Sequence, residues 1–131
     1  MEIKRNDSTM NRPEGDRVLD APFVVMDIDD FEKQLKDEEA WEKNDRNGIT
    51  IFKSDTLTSV VTCLHKDAEI KDNSVDGYFQ VHVIEGKVKI TTEAGDNDMK
   101  ENQVIVFHPG VRHTIQASKK STLLLQTFTQ K

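Results

Sequence analysis

From Ile49 to Phe128 apolar and polar residues alternate with a period of two. The runs ITIFK, LTSVVTCLH, GYFQVHVI, KVKITT, QVIVF, RHTIQA and STLLLQTF are separated by turn-forming residues. Alternation of this kind puts successive side chains on opposite faces of a strand, so the pattern predicts seven or eight short strands. Many short strands with little helix predict a sandwich or a closed barrel. The first 48 residues read differently. Residues 22–28, PFVVMDI, read as a short strand, and a helix is expected at about residues 29–44. Asp29 or Asp30 serves as its N-cap, Phe31 and Leu35 share one face, and Trp41 fixes the far end to the body. Asn47-Gly48 reads as a break, and the many charges of the helix as a solvated face. Residues 1–20 show no apolar period and carry Pro13 and Gly15. They read as an extended arm, ordered by docking on the body or on a second subunit, ahead of a single barrel domain at 21–131.

Two strands can be assigned to faces. In residues 78–84, Phe79, Val81 and Val83 lie on one side and Tyr78, Gln80 and His82 on the other. Glu85-Gly86 reads as a two-residue hairpin turn, pairing Ile84 with Lys87, Val83 with Val88 and Val81 with Ile90. That register puts Val81, Val83, Val88 and Ile90 on one face. Further on, Gly95-Asp96 reads as a turn, Val104–Phe107 as a buried strand and His108-Pro109-Gly110 as a tight loop. His113 then shares a face with Ile115 and Ala117.

The chain has 131 residues, one domain's worth, with 35% hydrophobic and 32% charged residues. Its net charge of −6 and lack of a basic stripe argue against nucleic acid as a partner. No apolar run is long enough to span a membrane, and the first residues lack the apolar core of a secretory signal. One cysteine, Cys63, excludes an internal disulfide and a cysteine-rich zinc site, and a reducing, cytoplasmic setting is expected. Cys63 reads as a small buried apolar residue.

VHVIEGKVKI resembles the end of the first motif of the cupin superfamily, in which two histidines one residue apart and a glutamate precede a strand ending in glycine. NQVIVFHPGVRH resembles the second motif, a glycine, a strand, a proline-x-glycine turn and a histidine. Asn102 stands at the glycine position, the proline is displaced to Pro109, and Gly110 and His113 fall in place. The resemblance covers roughly residues 50–128, and RPEGDRVLDAP with the acidic helix is similar to small, single-domain bacterial cupins. It implies an all-β, double-stranded β-helix jelly-roll barrel with an N-terminal arm and one flanking helix, its interior serving as the site. Counting back from Gly86, Asn73 and Val75 stand where the two histidines belong and Phe79 where the glutamate belongs. Only His113 keeps its ligand type.

Val and Phe offer a metal no lone pair, and one His with waters binds a divalent ion poorly. No cofactor is therefore expected; a divalent metal would require His113 with His65 and His108 as a rearranged set. His82 lies on the polar face of its strand, away from the others. The expected site is lined by His113, Phe79, Val75, Val81, Val83, Val106 and Asn73. It suits a small, largely apolar or aromatic molecule with one hydrogen-bonding group. Burial should keep His113 neutral. The alternatives are a metal-dependent oxygenase or isomerase built on the rearranged histidines, or a metal-free isomerase or lyase with His113 as acid and base. A third reading is an assembly role, with the arm exchanged between the subunits of a homodimer.

Overall fold

The computed structural model describes residues 2–129; Met1, Gln130 and Lys131, at the ends of the expected arm and barrel domain, lie outside the described residues. The arm is not extended. Strands β1 (Lys4–Asn6) and β2 (Arg17–Asp20) pair antiparallel as a hairpin. Its docking is polar: the Arg17 Nε–H donates to the Thr50 carbonyl at 2.7 Å. Arg12 also reaches the body, donating to the Glu38 carboxylate at 3.0 and 3.1 Å, to Asn47 Oδ1 and to the Gly48 carbonyl.

Residues 21–26 form no strand, contrary to the expectation for 22–28. Helix α1 (Ile28–Asp37) starts at Asp27, not Asp29 or Asp30; the Asp27 carboxylate accepts from the Asp30 N–H at 3.2 Å. Asp29 and Asp30 occupy the first turn, where the positive end of the helix dipole favours them. The single helix expected to about residue 44 is broken at Glu38, whose backbone is extended, and α2 (Glu39–Lys43) follows. Glu38 is the acceptor for Arg12, Gln34 and Asn47, so the break coincides with the knot that ties arm, helix and sheet together.

The remaining strands are β3 (Arg46–Lys53), β4 (Leu57–Leu64), β5 (Glu69–Asn73), β6 (Tyr78–Glu85), β7 (Lys87–Thr92), β8 (Gly95–Lys100), β9 (Val104–Phe107), β10 (His113–Ala117) and β11 (Ser121–Phe128). They form two antiparallel sheets, β3-β4-β11-β6-β9 and β5-β10-β7-β8. Asn47 and Gly48 lie inside β3 and make no break. The turn expected at Gly95-Asp96 falls two residues earlier, at Glu93-Ala94.

The expected β6–β7 hairpin is also corrected. The two strands belong to different sheets: β6 pairs with β11 and β9, while β7 pairs with β10 and β8. Gly86, at φ +95°, is a corner between them. The Ser121 hydroxyl closes that corner, accepting from the Lys87 N–H at 3.1 Å and donating towards the Lys87 carbonyl at 3.2 Å. The face assignment survives, because both strands still point the same residues inward. Val81, Val83, Val88 and Ile90 are fully buried, but they meet across the barrel rather than side by side.

The five-stranded sheet has a core on each side. Inside the barrel, Leu64, Val81, Val83, Val88, Ile90, Ile115 and Leu123 pack between the sheets with the two aromatic rings Phe79 and Phe107. On the outer face, Leu35 and Trp41 of the helices, with Met26, Ile28 and Phe31, cover Ile49, Ile51, Val61 and Cys63. At roughly 25 cal/mol per Å² of buried apolar surface, each fully buried Leu or Ile contributes about 1.5–3 kcal/mol, which offsets the ordering of the helical segment.

Candidate functional site

The barrel end is set by four strand termini. Asn73 closes β5, His113 opens β10, Phe107 closes β9 and Phe79 is the second residue of β6. Phe79 and Phe107 are brought together by direct register between β6 and β9. Asn73 is brought to His113 by an irregularity. Between the pairs His113↔Asn73 and Ile115↔Ile70, β5 carries one residue more than β10. This is a β-bulge, and Asp72 within it has a positive φ of 47°. The extra residue re-aims Asn73 so that its side-chain amide meets the imidazole at Nε2.

His113 is 2% exposed. Its two ring nitrogens are both engaged. Nδ1 lies 3.1 Å from the Val111 carbonyl, and Nε2 lies 3.1 Å from Asn73 Nδ2. A carbonyl only accepts, so Nδ1 carries the proton and Nε2 accepts from the Asn73 amide. Burial pushes the His113 pKa below its usual value, against the Val111 carbonyl, which favours the charged form. The result is a neutral ring of fixed tautomer. Its plane is near-parallel to Phe107, at 4.1 Å between centroids and 14°, and to Phe79, at 5.2 Å and 13°.

The donor set does not fit a divalent metal. The one imidazole keeps its lone pair in a hydrogen bond, and its nearest side chains are an amide and two phenyl rings. The other histidines are elsewhere. His65 stacks on Trp41 at 3.5 Å, with Nε2 2.8 Å from the Trp41 carbonyl, at the helical face. His108 is exposed and leans on Tyr78 at 5.1 Å. The set His113, His65 and His108 therefore does not converge, and among the described residues no group of three or more His, Cys, Asp or Glu side chains could hold a metal ion. Cys63 is buried, 3.7 Å from the Thr122 hydroxyl, and burial pushes its thiol pKa up, away from a nucleophile's range.

Of the expected lining residues, Asn73, Val75, Phe79, Val81, Val83 and His113 belong to this end of the barrel or the core beneath it. Val106 does not. It is 53% exposed on the outer face, because β9 alternates and turns Ile105 and Phe107 inward. Phe107 is the residue that sequence reasoning missed. An all-apolar VIVF hides the alternation, and only pairing with β6 opposite Phe79 reveals which half faces in. The Val111 carbonyl was beyond reach too, since main-chain groups leave no mark in residue type.

The interior itself is filled. Val81 and Val83 have no exposed surface, and Phe79 and Phe107 almost none. The open space at this end is a concavity of about 460 Å³ lined by Thr92, Glu93, Ala94, Gly110, Val111 and Arg112. It adjoins the buried ring through Val111. The loops around it are tied by the Gly110 N–H, which donates to the Val75 carbonyl at 2.8 Å.

No protein-family model matches the sequence, and no curated protein does. Solved structures do resemble it. A conserved Streptococcus pyogenes protein of unknown function shares 22% identity, covering 86% of this chain and 93% of its own, with a TM-score of 0.68. The cupin domain of Schizosaccharomyces pombe Cnp3 shares 15% identity over 99% of this chain and 89% of its own, with a TM-score of 0.63. A cupin superfamily protein from Desulfitobacterium hafniense shares 15% identity over 66% of this chain and 80% of its own, with a TM-score of 0.64. Two antiparallel sheets, their packed interior and these likenesses agree: the chain has an all-β jelly-roll fold like that of the cupin structures.

Proposed function

We propose that the protein is a metal-free binding module that takes a small, largely apolar molecule with one hydrogen-bonding group at the barrel end, in a cytoplasmic setting. The observation that carries this reading is the state of His113: neutral, of fixed tautomer and near-parallel to two phenyl rings. A planar polar handle among aromatic faces suits a flat apolar ligand. The adjoining concavity of about 460 Å³ is of small-molecule size and gives the approach. Asn73, only half-buried, is the group that yields, exchanging its bond to Nε2 for one from the ligand.

The enzymatic alternatives find less support. Acid–base catalysis needs a second titrating group, whereas the partners of His113 are an amide and a backbone carbonyl. Native mass spectrometry of untreated protein tests the proposal. It should report the polypeptide with a small organic adduct and no stoichiometric metal, and the His113→Leu variant should lose the adduct. One tightly held transition metal per chain would contradict it.

A further inference from the structure

We infer that the end of the barrel opposite His113 is a binding site for a compact, multivalent anion of the oligophosphate class. Four connections meet at that end: β4–β5, β6–β7, β8–β9 and β10–β11. In them or at their edges stand Lys66, Lys87, Lys100, Lys119 and Lys120, all exposed. Hydrogen bonds between the connections gather these lysines. The Lys87 carbonyl accepts from the Ser118 N–H at 2.9 Å and from the Lys119 N–H at 3.4 Å. Lys100 lies directly opposite Lys87 in the β7–β8 register. The Lys120 carbonyl flanks Gly86, closely enough that a Cβ there would meet it at 2.5 Å. The Asp67 N–H donates to the Ala117 carbonyl at 2.8 Å, which seats Lys66 beside the β10–β11 turn.

These are free charges. Among the described residues none of the five side chains makes a hydrogen bond or an ion pair. Elsewhere Lys4, Lys36, Lys43, Lys71 and Lys89 each have a carboxylate within 3.9 Å. The chain has 24 acidic residues against 18 basic ones, yet its unpaired lysines collect at one pole. Of the carboxylates near it, Glu85 is held by Lys36, Asp45 by Arg46 and Glu69 by Lys71. Asp67 and Glu101 oppose the five lysines and leave an excess of positive charge. Lys87 and Lys100 both point outward, since Val88 and Met99 turn inward. Like charges directly opposite each other destabilise a sheet, and a bound anion removes that repulsion.

The occupant is compact because the rest of the chain is acidic. A net charge of −6 repels an extended polyanion such as a nucleic acid or an anionic membrane, whereas a small ion meets only the local field of the pole. It is a phosphate anion because the free cations are all ammonium groups. The guanidinium at this end, Arg46, is already committed to Asp45 and to the Glu69 carbonyl. Guanidinium forks match planar carboxylates, while ammonium point charges on flexible stems gather around phosphate oxygens. It is multivalent because lysines on separate connections need several acceptor oxygens to bridge them. No run of the sequence shows this pole, since its lysines come from four connections. It is distinct from the site at His113: along β6 (Tyr78–Glu85) the two ends lie about 23 Å apart at roughly 3.3 Å per residue.

Isothermal titration calorimetry of the full chain with inorganic tripolyphosphate tests this inference. The wild type should bind one equivalent, and orthophosphate should bind about tenfold more weakly or less. The affinity should fall with added salt but persist at physiological ionic strength. The double variant Lys87→Gln, Lys119→Gln should weaken tripolyphosphate binding by about tenfold or more. The double variant Lys33→Gln, Lys53→Gln removes the same charge elsewhere and should change it by less than about twofold. All four positions are exposed, and circular dichroism should be unchanged in both variants. Absence of tripolyphosphate binding, an equal loss in the two variants, or binding confined to low salt overturns the inference. None of these outcomes bears on binding at the His113 end of the barrel.

Discussion

Replacing Asn73 by Ala removes the donor to His113 Nε2 and leaves a buried acceptor without a partner. Such a loss costs about 1–3 kcal/mol, more than the roughly 1 kcal/mol net value of the bond itself, because the desolvated lone pair is not returned to water. For a chain of this length each kcal/mol lowers the melting temperature by about 4 °C. His113→Phe keeps a planar ring among Phe79 and Phe107 but enlarges it, at an overpacking cost of about 1–3 kcal/mol, while the freed Asn73 amide and Val111 carbonyl lie at half-buried and exposed residues. In the His113→Phe background Asn73→Ala should be almost silent. Urea unfolding of the four proteins, read with a common m-value, gives the coupling. The geometry predicts a coupling of about 1 kcal/mol or more. A coupling within about 0.3 kcal/mol of zero would refute the bond and with it the fixed tautomer.

The other predictions concern pH, the polar knot and one corner. Burial lowers the His113 pKa in the folded state, so below its ordinary value of about 6.5 the unfolded chain binds a proton that the folded chain does not. Stability should therefore be full above that value and fall as pH drops from it towards the folded pKa; His113→Phe should flatten that part of the pH profile of urea midpoints. Glu38 is opposite in chemistry: burial works against its carboxylate, yet hydrogen bonds from Asn47, Gln34 and Arg12 hold its pKa below the usual range. Its contribution is present above the ordinary carboxyl pKa and lost as pH falls through the folded one, and Arg12→Met should remove about 1–3 kcal/mol at neutral pH in thermal melts. Gly86→Ala should be far more damaging than Gly95→Ala in denaturant midpoint. Both have positive φ, but only at Gly86 would the new methyl collide with Ser121 and the Lys120 carbonyl, whereas Gly95 meets nothing within 4 Å.

What was legible in the sequence follows from what a period of two can carry. The faces of β6, β7 and β10 were readable because each alternates cleanly, and His113 pointed inward with Ile115 and Ala117 as expected. Pairing was not readable at Gly86. A Glu-Gly step with positive φ fits a hairpin and a corner equally, and the same residues point inward in both. Strand β8, GDNDMK, escaped notice because only Met99 is buried. PFVVM read as a strand on residue type, yet has no strand neighbour among the described residues and leaves Phe23 and Val25 bare, so β-propensity here reports a surface rather than a sheet. The contact between Asn73 and His113 spans forty positions and depends on a bulge, which no local pattern encodes.

The central claim is that a neutral imidazole, closed off by an amide, stands where this fold could otherwise build a metal centre. Nitrogen-15 NMR of the His113 ring during titration with zinc or manganese at neutral pH tests it most directly. The account predicts a proton on Nδ1, an accepting Nε2, and resonances that do not move or broaden at one equivalent of metal. A shift or loss of the Nε2 signal at one equivalent would contradict it.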